Sequence, residues 1–405
     1  MTATRERIQE VVREHHGTVL ARLIRRLKSF DLAEDALQDA LAAAISQWPR
    51  DGIPDSPRAW LFTAARNKAV DEIRKRTLHG EKHAELLEEL ETVVEDEPQI
   101  RDDMLRLMFT CCHPALALHA QVALTLSTVA GLEVEEIARA FLVPVPTLAQ
   151  RLVRAKHKIR AANIPYAVPE ASELSPRVEG ISKVVYLTFN EGYTASRGDG
   201  IRAELCQHAL RLGRELCRLL PEDGNALGLL ALMELTDARR AARVDAEGEL
   251  VLLEDQDRTL WNREQIDEGC ALTRAALRRA PRGAYPLQAA ISAVHAEAER
   301  ATDTDWPQIA ALYARLFAVE PTPVVALNRA VAVAMAHGPQ TGLALLGELE
   351  ASLSEYHLFH AARADLLRRA GQREAAHAGY GRALELCENA AEQRLLRKKL
   401  ALVSP

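Results

Sequence analysis

The stretch from Pro57 to Arg76 constrains this chain more than any other. Ala59, Leu61, Phe62, Ala65, Ala69, Val70 and Ile73 recur at helical spacing, so only a helix gathers them on one side. Ser56 is placed to cap that helix, and Pro57 falls in the first turn, where a missing N–H removes no hydrogen bond. Arg66, Asn67, Lys68, Arg74, Lys75 and Arg76 crowd the remaining surface. A helix with its apolar side in a core and Arg, Asn and Lys outward suits DNA, because those side chains reach phosphates and base edges.

The same period runs through most of the chain, and β-branched runs are rare, so the expected fold class is all-α. At 405 residues the chain has room for roughly two to four domains. Its formal net charge is −6, unlike a protein that coats nucleic acid over its whole surface, so DNA contact is confined to patches. Cys111, Cys112, Cys206, Cys217, Cys270 and Cys387 form no CxxC pair. They read as reduced thiols, and neither a metal nor a cofactor is implied. The N-terminal residues lack an apolar signal core, and no run approaches the roughly 20 apolar residues of a membrane span. The expectation is a cytoplasmic protein. P-loop, HExxH and GxSxG patterns are missing from the sequence, which points away from an enzyme and names no catalytic residue.

Arg5 to Lys28 reads as an amphipathic helix, and a second helix is expected from the Asp31 cap to about Trp48, with Glu34, Asp35, Gln38 and Asp39 on its face. Pro49 to Ser56 reads as a turn-rich loop. Between Glu81 and Asp103 stand ten acidic and two basic residues, the composition of a charged linker with little core of its own. A helix-turn-helix follows. Val134 to Leu142 is the first helix, Val143-Pro144-Val145-Pro146 the turn, and Thr147 to Arg160 the second, with Thr147 as its cap. Leu148, Leu152, Ala155 and Ile159 face inward, which leaves Gln150, Arg151, Arg154, Lys156 and Lys158 free for a major groove.

Together these segments resemble a complete extracytoplasmic-function (ECF) sigma-70 factor over about residues 8 to 165. Pro57-Arg58-Ala59-Trp60-Leu61-Phe62 with Ala65-Arg66-Asn67-Lys68-Ala69-Val70-Asp71 is similar to that family's −10-reading helix. Ala33 to Ala40 is similar to its polymerase-gripping segment. The resemblance implies core RNA polymerase as partner, through the β′ clamp helices and the β flap, and promoter DNA. It assigns Glu34, Asp35, Gln38 and Asp39 to the clamp. Arg50, Asp51, Arg66, Asn67, Asp71 and Arg74 go to −10 DNA, and Thr147, Gln150, Arg151, Arg154 and Lys158 to −35 DNA. Ala40 and Leu41 stand where the family usually has Thr and Phe, and Ala149 where it usually has Lys.

The implied organisation is region 2 over 1–80, the acidic linker over 81–103, region 4 over 104–165, a helical connecting domain over 166–284 and tetratricopeptide-like (TPR-like) repeats over 285–405. Tyr313, Leu316 and Pro321 echo the repeat pattern, Gly338 and Gly371 stand 33 positions apart, and Ala364, Ala376, Tyr380 and Ala383 fit its small and aromatic slots. A hairpin is expected around Arg243 to Leu253. Asn190-Glu191-Gly192-Tyr193 closes an apolar run. It reads either as a buried helix ending in a glycine turn or as a cluster in which Asn190, Glu191 and Tyr193 dock the extension on the sigma core. The extension resembles that of an ECF subgroup and is implied to regulate in cis, with a regulatory protein or peptide as a partner for its repeats. Two functions stay open: an ECF sigma factor regulated in this way, and a stand-alone helix-turn-helix regulator with a protein-binding repeat domain.

Overall fold

The computed structural model describes residues 2–76, 97–141, 143–193, 202–245 and 248–403. The chain divides into two compact units, Met1–Val185 and Tyr186–Pro405. Nineteen α-helices lie among the described residues, and no sheet forms there. The expected hairpin shrinks to one antiparallel bridge, Val244 with Leu250, turned at Gly248 with φ +80°.

In the first unit, α1 (Thr2–Leu27), α2 (Phe30–Asp51) and α3 (Pro57–Arg76) pack on one another. Their stripes meet as the spacing requires: Leu20, Leu23, Leu37, Leu61 and Ala65 are all but sealed from solvent, each large side chain contributing about 1.5–3 kcal/mol. The cap of α2 differs from the expected one. Ser29 Oγ accepts from the Leu32 N–H at 3.3 Å, and Asp31 sits inside the first turn. Pro49 also differs, since it lies within α2, and the helix ends at Gly52, φ +86°, whose N–H donates to Trp48 O at 3.0 Å. Trp48 meets Trp60 edge to face at 5.3 Å, which clamps the α2–α3 corner.

Next come α4 (Glu97–Cys111), α5 (Leu118–Thr128), α6 (Val134–Ala140) and α7 (Val145–Ala161). Residues 97–103 of the expected acidic linker are thus the start of α4, and 81–96 lie outside the described residues. Asp103 is buried because Arg25 at 3.2 Å and Arg106 at 3.0 Å compensate its charge. Helix α7 begins at Val145 after Pro144, so Thr147 belongs to the first turn and is not the cap. Leu148, Leu152, Ala155 and Ile159 are buried, as the pattern predicts.

Helix α1 also packs on α4 and α5. Gly17 permits this approach, because a Cβ there would stand 2.5 Å from Val129 O. Next to it the buried His16 donates from Nδ1 to Thr128 O at 3.2 Å. Tyr166 donates to Ala21 O at 2.8 Å.

Helix α8 (Ala171–Tyr193) runs through Pro176, and the division between the units falls inside it. The expected glycine turn is not there. Gly192 is helical, and a Cβ on it would meet Cys206 N and Sγ at 2.8 Å, so the glycine serves close approach to α9 (Ala203–Leu219).

The second unit continues with α10 (Gly224–Asp237), α11 (Arg263–Arg279), α12 (Ala284–Glu297), α13 (Trp306–Val319), α14 (Pro323–His337), α15 (Pro339–Gly347), the short α16 (Glu350–Leu353), α17 (His357–Arg369), α18 (Arg373–Leu386) and α19 (Ala390–Val403). Most helices pack on the next in sequence, as helix-repeat proteins do. Asp223, Asn262, Asp305 and Thr322 cap α10, α11, α13 and α14 with their side chains. Gly338 and Gly371 supply positive φ at two turns. Ala364, Ala376, Tyr380 and Ala383 share one core cluster, where the repeat pattern places them.

Burial holds the His16 imidazole neutral and lowers its pKa from the ordinary 6.5 to about 4, against its hydrogen bond to Thr128. The unfolded chain binds this proton near pH 6.5 and the folded chain only near 4. Stability is therefore complete above pH 6.5 and falls as the pH drops towards 4, by up to about 3 kcal/mol for this group. His16→Asn is expected to flatten that slope in urea unfolding. Equal slopes for the variant and the wild type would show that the imidazole is not held neutral.

Candidate nucleic-acid interface

Helix α2 presents Asp35, Gln38 and Asp39 to solvent, on one face by their spacing. Glu34 is half-buried beside them and forms an ion pair with Lys156 of α7 at 2.5 Å. One turn earlier on α2, Asp31 pairs with Arg160, also of α7. Burial pushes the Glu34 carboxyl up against the pull of Lys156. Glu34 and Gln38 line a cavity of about 240 Å³ with His16, Leu41 and Gly131. The four residues assigned to polymerase therefore split: three are exposed and one is engaged by the helix assigned to −35 DNA. These pairings span more than a hundred residues, and no local pattern in the sequence signals them.

Arg50 and Asp51 lie at the end of α2, and Arg50 donates to Ser46 O through Nε and Nη2. On α3 Asn67, Asp71 and Arg74 are exposed, and the half-buried Arg66 holds the Asn67 amide oxygen at 3.0 Å. The structure adds a group that the sequence pattern alone does not single out. Arg26 of α1 stands near Arg22, Arg25 and Arg66, close enough that their charges add to burial in lowering its pKa. Arg22 lies over the Phe62 ring at 4.0 Å and Arg26 at 5.9 Å. The spacing from Arg22 to Arg26 is the one signal of it in the sequence.

On α7, Thr147, Gln150, Arg154 and Lys158 are exposed and Arg151 is half-buried, around a buried stripe that fixes their direction. In the second unit Glu191 pairs with Arg202 at 2.5 Å. The buried Tyr193 stacks on Phe189 at 5.8 Å and lies under Arg243 at 4.5 Å. Asn190 is half-buried on the same helix. The contacts named for Glu191 and Tyr193 all lie inside that unit.

The described cysteines make no disulfide. Cys111 Sγ lies 3.0 Å from Thr128 Oγ1, and burial pushes both the Cys111 and the Cys112 thiols up. Among the described residues one group has metal-ligand character: His357, Cys387 and Glu392 bring their donor atoms within 4.8 Å of one another. There His357 Nε2 already meets Glu392 Oε2 at 2.8 Å, so the two satisfy each other.

Sigma-70 region 2 matches residues 11–78, and a family of unknown function (DUF6596) matches residues 177–277. A Rhizobium meliloti (strain 1021) chain, "Uncharacterized protein R00370", is 43% identical over 386 residues, which is 93% of this chain and 91% of that one. Among solved structures, the thermophilic TPR protein TTC0263 of Thermus thermophilus aligns at 20% identity, TM-score 0.36, over 50% of this chain and 91% of its own.

The Glu34–Lys156 pair can be weighed directly. Both side chains are about one-fifth exposed, between the surface and buried limits. A double-mutant cycle with Glu34→Gln and Lys156→Met is expected to give a coupling of about 0.5–1.5 kcal/mol in equilibrium unfolding, smaller at high salt. A coupling near zero at low salt would show that the pair contributes nothing to stability.

Proposed function

The chain belongs to the family of the Rhizobium meliloti protein R00370 as a sigma-70 factor with a helical C-terminal extension, and on that premise we propose that it works as an ECF-type sigma factor regulated in cis by that extension. Its role lies in transcription initiation, with core RNA polymerase and promoter DNA as partners. One observation supports the finer reading most: within the matched region, the exposed acidic-amide face of α2 and the face of α3 that carries the half-buried Arg66 and the exposed Asn67, Asp71 and Arg74 belong to a single packed helical corner. Asp35, Gln38 and Asp39 meet the β′ clamp helices. Arg66, Asn67, Asp71 and Arg74, with Arg50 and Asp51, take the −10 strand, where holding unstacked bases offsets a few kcal/mol. Region 4 uses Thr147, Gln150, Arg151, Arg154 and Lys158 at −35 and meets the β flap. The polymerase does the chemistry, and no residue of this chain is catalytic. Asn190, Glu191 and Tyr193 shape the end of α8, through which the extension acts on the sigma regions. The repeats take a regulatory protein or peptide, and the protein works in the cytoplasm. Among the described residues no helix is long and apolar enough to cross a membrane.

Lys156 and Arg160 rest on the acidic face of α2, which favours a resting form of the sigma unit in which the −35 helix shields part of the polymerase face. A stand-alone helix-turn-helix regulator has no use for an exposed acidic face on α2, and that is why it is the second choice.

Two experiments test this. Asp35→Arg with Asp39→Arg is expected to weaken association with core polymerase, since like-charge juxtaposition opposes encounter and docking. Undiminished binding by the folded variant in a pull-down removes the polymerase assignment and favours the stand-alone regulator. At region 4, Arg151→Ala is expected to cost about 1–3 kcal/mol on the cognate −35 site and little on scrambled DNA, if its guanidinium reads a base. Equal losses on both would reduce Arg151 to a phosphate anchor.

A further inference from the structure

Between α10 and α11 the chain leaves the helical repeat. It makes the short 3₁₀ turn Arg240–Ala242, the Val244–Leu250 bridge and a second turn, Arg258–Leu260. This segment walls a cavity of about 350 Å³ inside the second unit, closed on the other side by α17 and α19. That size suits a small organic molecule. Its wall is largely apolar, with Leu250, Val251, Leu253, Leu358 and Leu395 among the residues that form it.

The polar groups around the cavity are mostly accounted for within the protein. Lys399 pairs with Asp365 at 3.4 Å, and Glu392 with His357 at 2.8 Å. Arg258, just behind, donates to His295 O at 2.9 Å and to Ala298 O. Two arginines on the wall differ: Arg239 and Arg243 each have an enclosed Nε that makes no hydrogen bond, and Arg243 lies over the Tyr193 ring at 4.5 Å. Among the described residues no carboxylate or acceptor meets the Arg239 guanidinium, and the Trp261 ring lies 5.9 Å away. Burial lowers its pKa, Tyr193 opposes that shift, and the neighbouring Arg243 and Arg258 add to it. Burial, with Arg239 and Arg258 adding to it, holds His295 neutral, its pKa lowered to about 4. Arginine cannot shed its proton at any ordinary pH. A half-buried guanidinium with an enclosed Nε, beside two like charges and with no carboxylate on it, is suited to an anion from outside the chain. Gln256 also lines the cavity, with its Oε1 enclosed behind the wall.

We propose that this cavity binds a small amphipathic organic acid, its anionic head on Arg239 and its apolar body along the leucine wall. This goes beyond the sigma-factor reading and does not depend on it, because the site lies wholly within the second unit.

The test uses the full chain, with octanoate as the probe and 1-octanol as its uncharged counterpart. Octanoate is expected to bind saturably by calorimetry and to raise the thermal midpoint, at least about tenfold more tightly than 1-octanol, the preference expected of a charge-assisted hydrogen bond. Arg239→Met is expected to lose that preference. Without ligand it is expected to melt at or above the wild-type midpoint, since it removes an uncompensated charge. Absent or equal binding of the two probes, or a preference that survives in Arg239→Met, would overturn the proposal. So would an Arg239→Met chain that is unfolded or less stable than wild type, because the guanidinium would then be compensated inside the protein.

Discussion

Helix α1 is the element on which the first unit depends, because four other helices cover it. It packs against α2 and α3 on one side and α4 and α5 on another. An amphipathic helix with a single stripe could not serve both. In α1 the burial instead extends around much of the circumference, through Val11, Val19, Leu20, Leu23, Ile24 and Leu27 and also the polar His16 and Arg22. The polar pair is tolerated because each is compensated: His16 stays neutral and donates to Thr128 O, and Arg22 lies over the Phe62 ring. The missing side chain of Gly17 sets how near α5 comes. One helix thus fixes where the α2–α3 corner stands with respect to the helix-turn-helix inside this unit.

Local chemistry is legible in the sequence where a stripe or a backbone rule decides the outcome. The helix after Ser56 and the stripe Leu148, Leu152, Ala155 and Ile159 follow from periodicity, and the Ala364 to Ala383 cluster from repeat spacing. The departures from expectation share another cause, in that two local rules compete. Ser29 and Asp31 are both good caps, and Ser29 prevails because Lys28 takes positive φ just before it. Pro49 by itself signals a helix stop, yet near the end of α2 the loss of one N–H is cheap, and Gly52 provides the reversal. Gly192 suggests a turn because glycine favours turns, whereas here it is small so that Cys206 can approach.

Partners far apart in sequence are not legible. Nothing around Glu34 announces Lys156, and nothing around Asp31 announces Arg160. Arg239 stands in Ala238-Arg239-Arg240-Ala241-Ala242-Arg243, which by composition is a solvated basic turn. Only the fold shows that the Arg239 Nε is enclosed while Arg240 pairs with Asp237 at 3.5 Å. A net charge of −6 for the chain conceals both facts, since charge averaged over the sequence says nothing about which charge is buried beside which.

The two kinds of contact in the first unit differ in strength, and the difference has a consequence for the surfaces they cover. The α1–α5 seam is made of enclosed apolar side chains and buried hydrogen bonds, and separating it exposes groups costing about 1–3 kcal/mol each. The Glu34–Lys156 and Asp31–Arg160 pairs join partly exposed side chains, contacts of about 1.5 kcal/mol or less that salt weakens. A macromolecular partner that offers several charged contacts exceeds the second kind easily and the first only by repacking a core. The acidic face of α2 and the basic face of α7 can therefore exchange each other for outside partners while α1 stays where it is. Closure and exposure of these faces are then settled by side-chain electrostatics, with the helical frame unchanged beneath them.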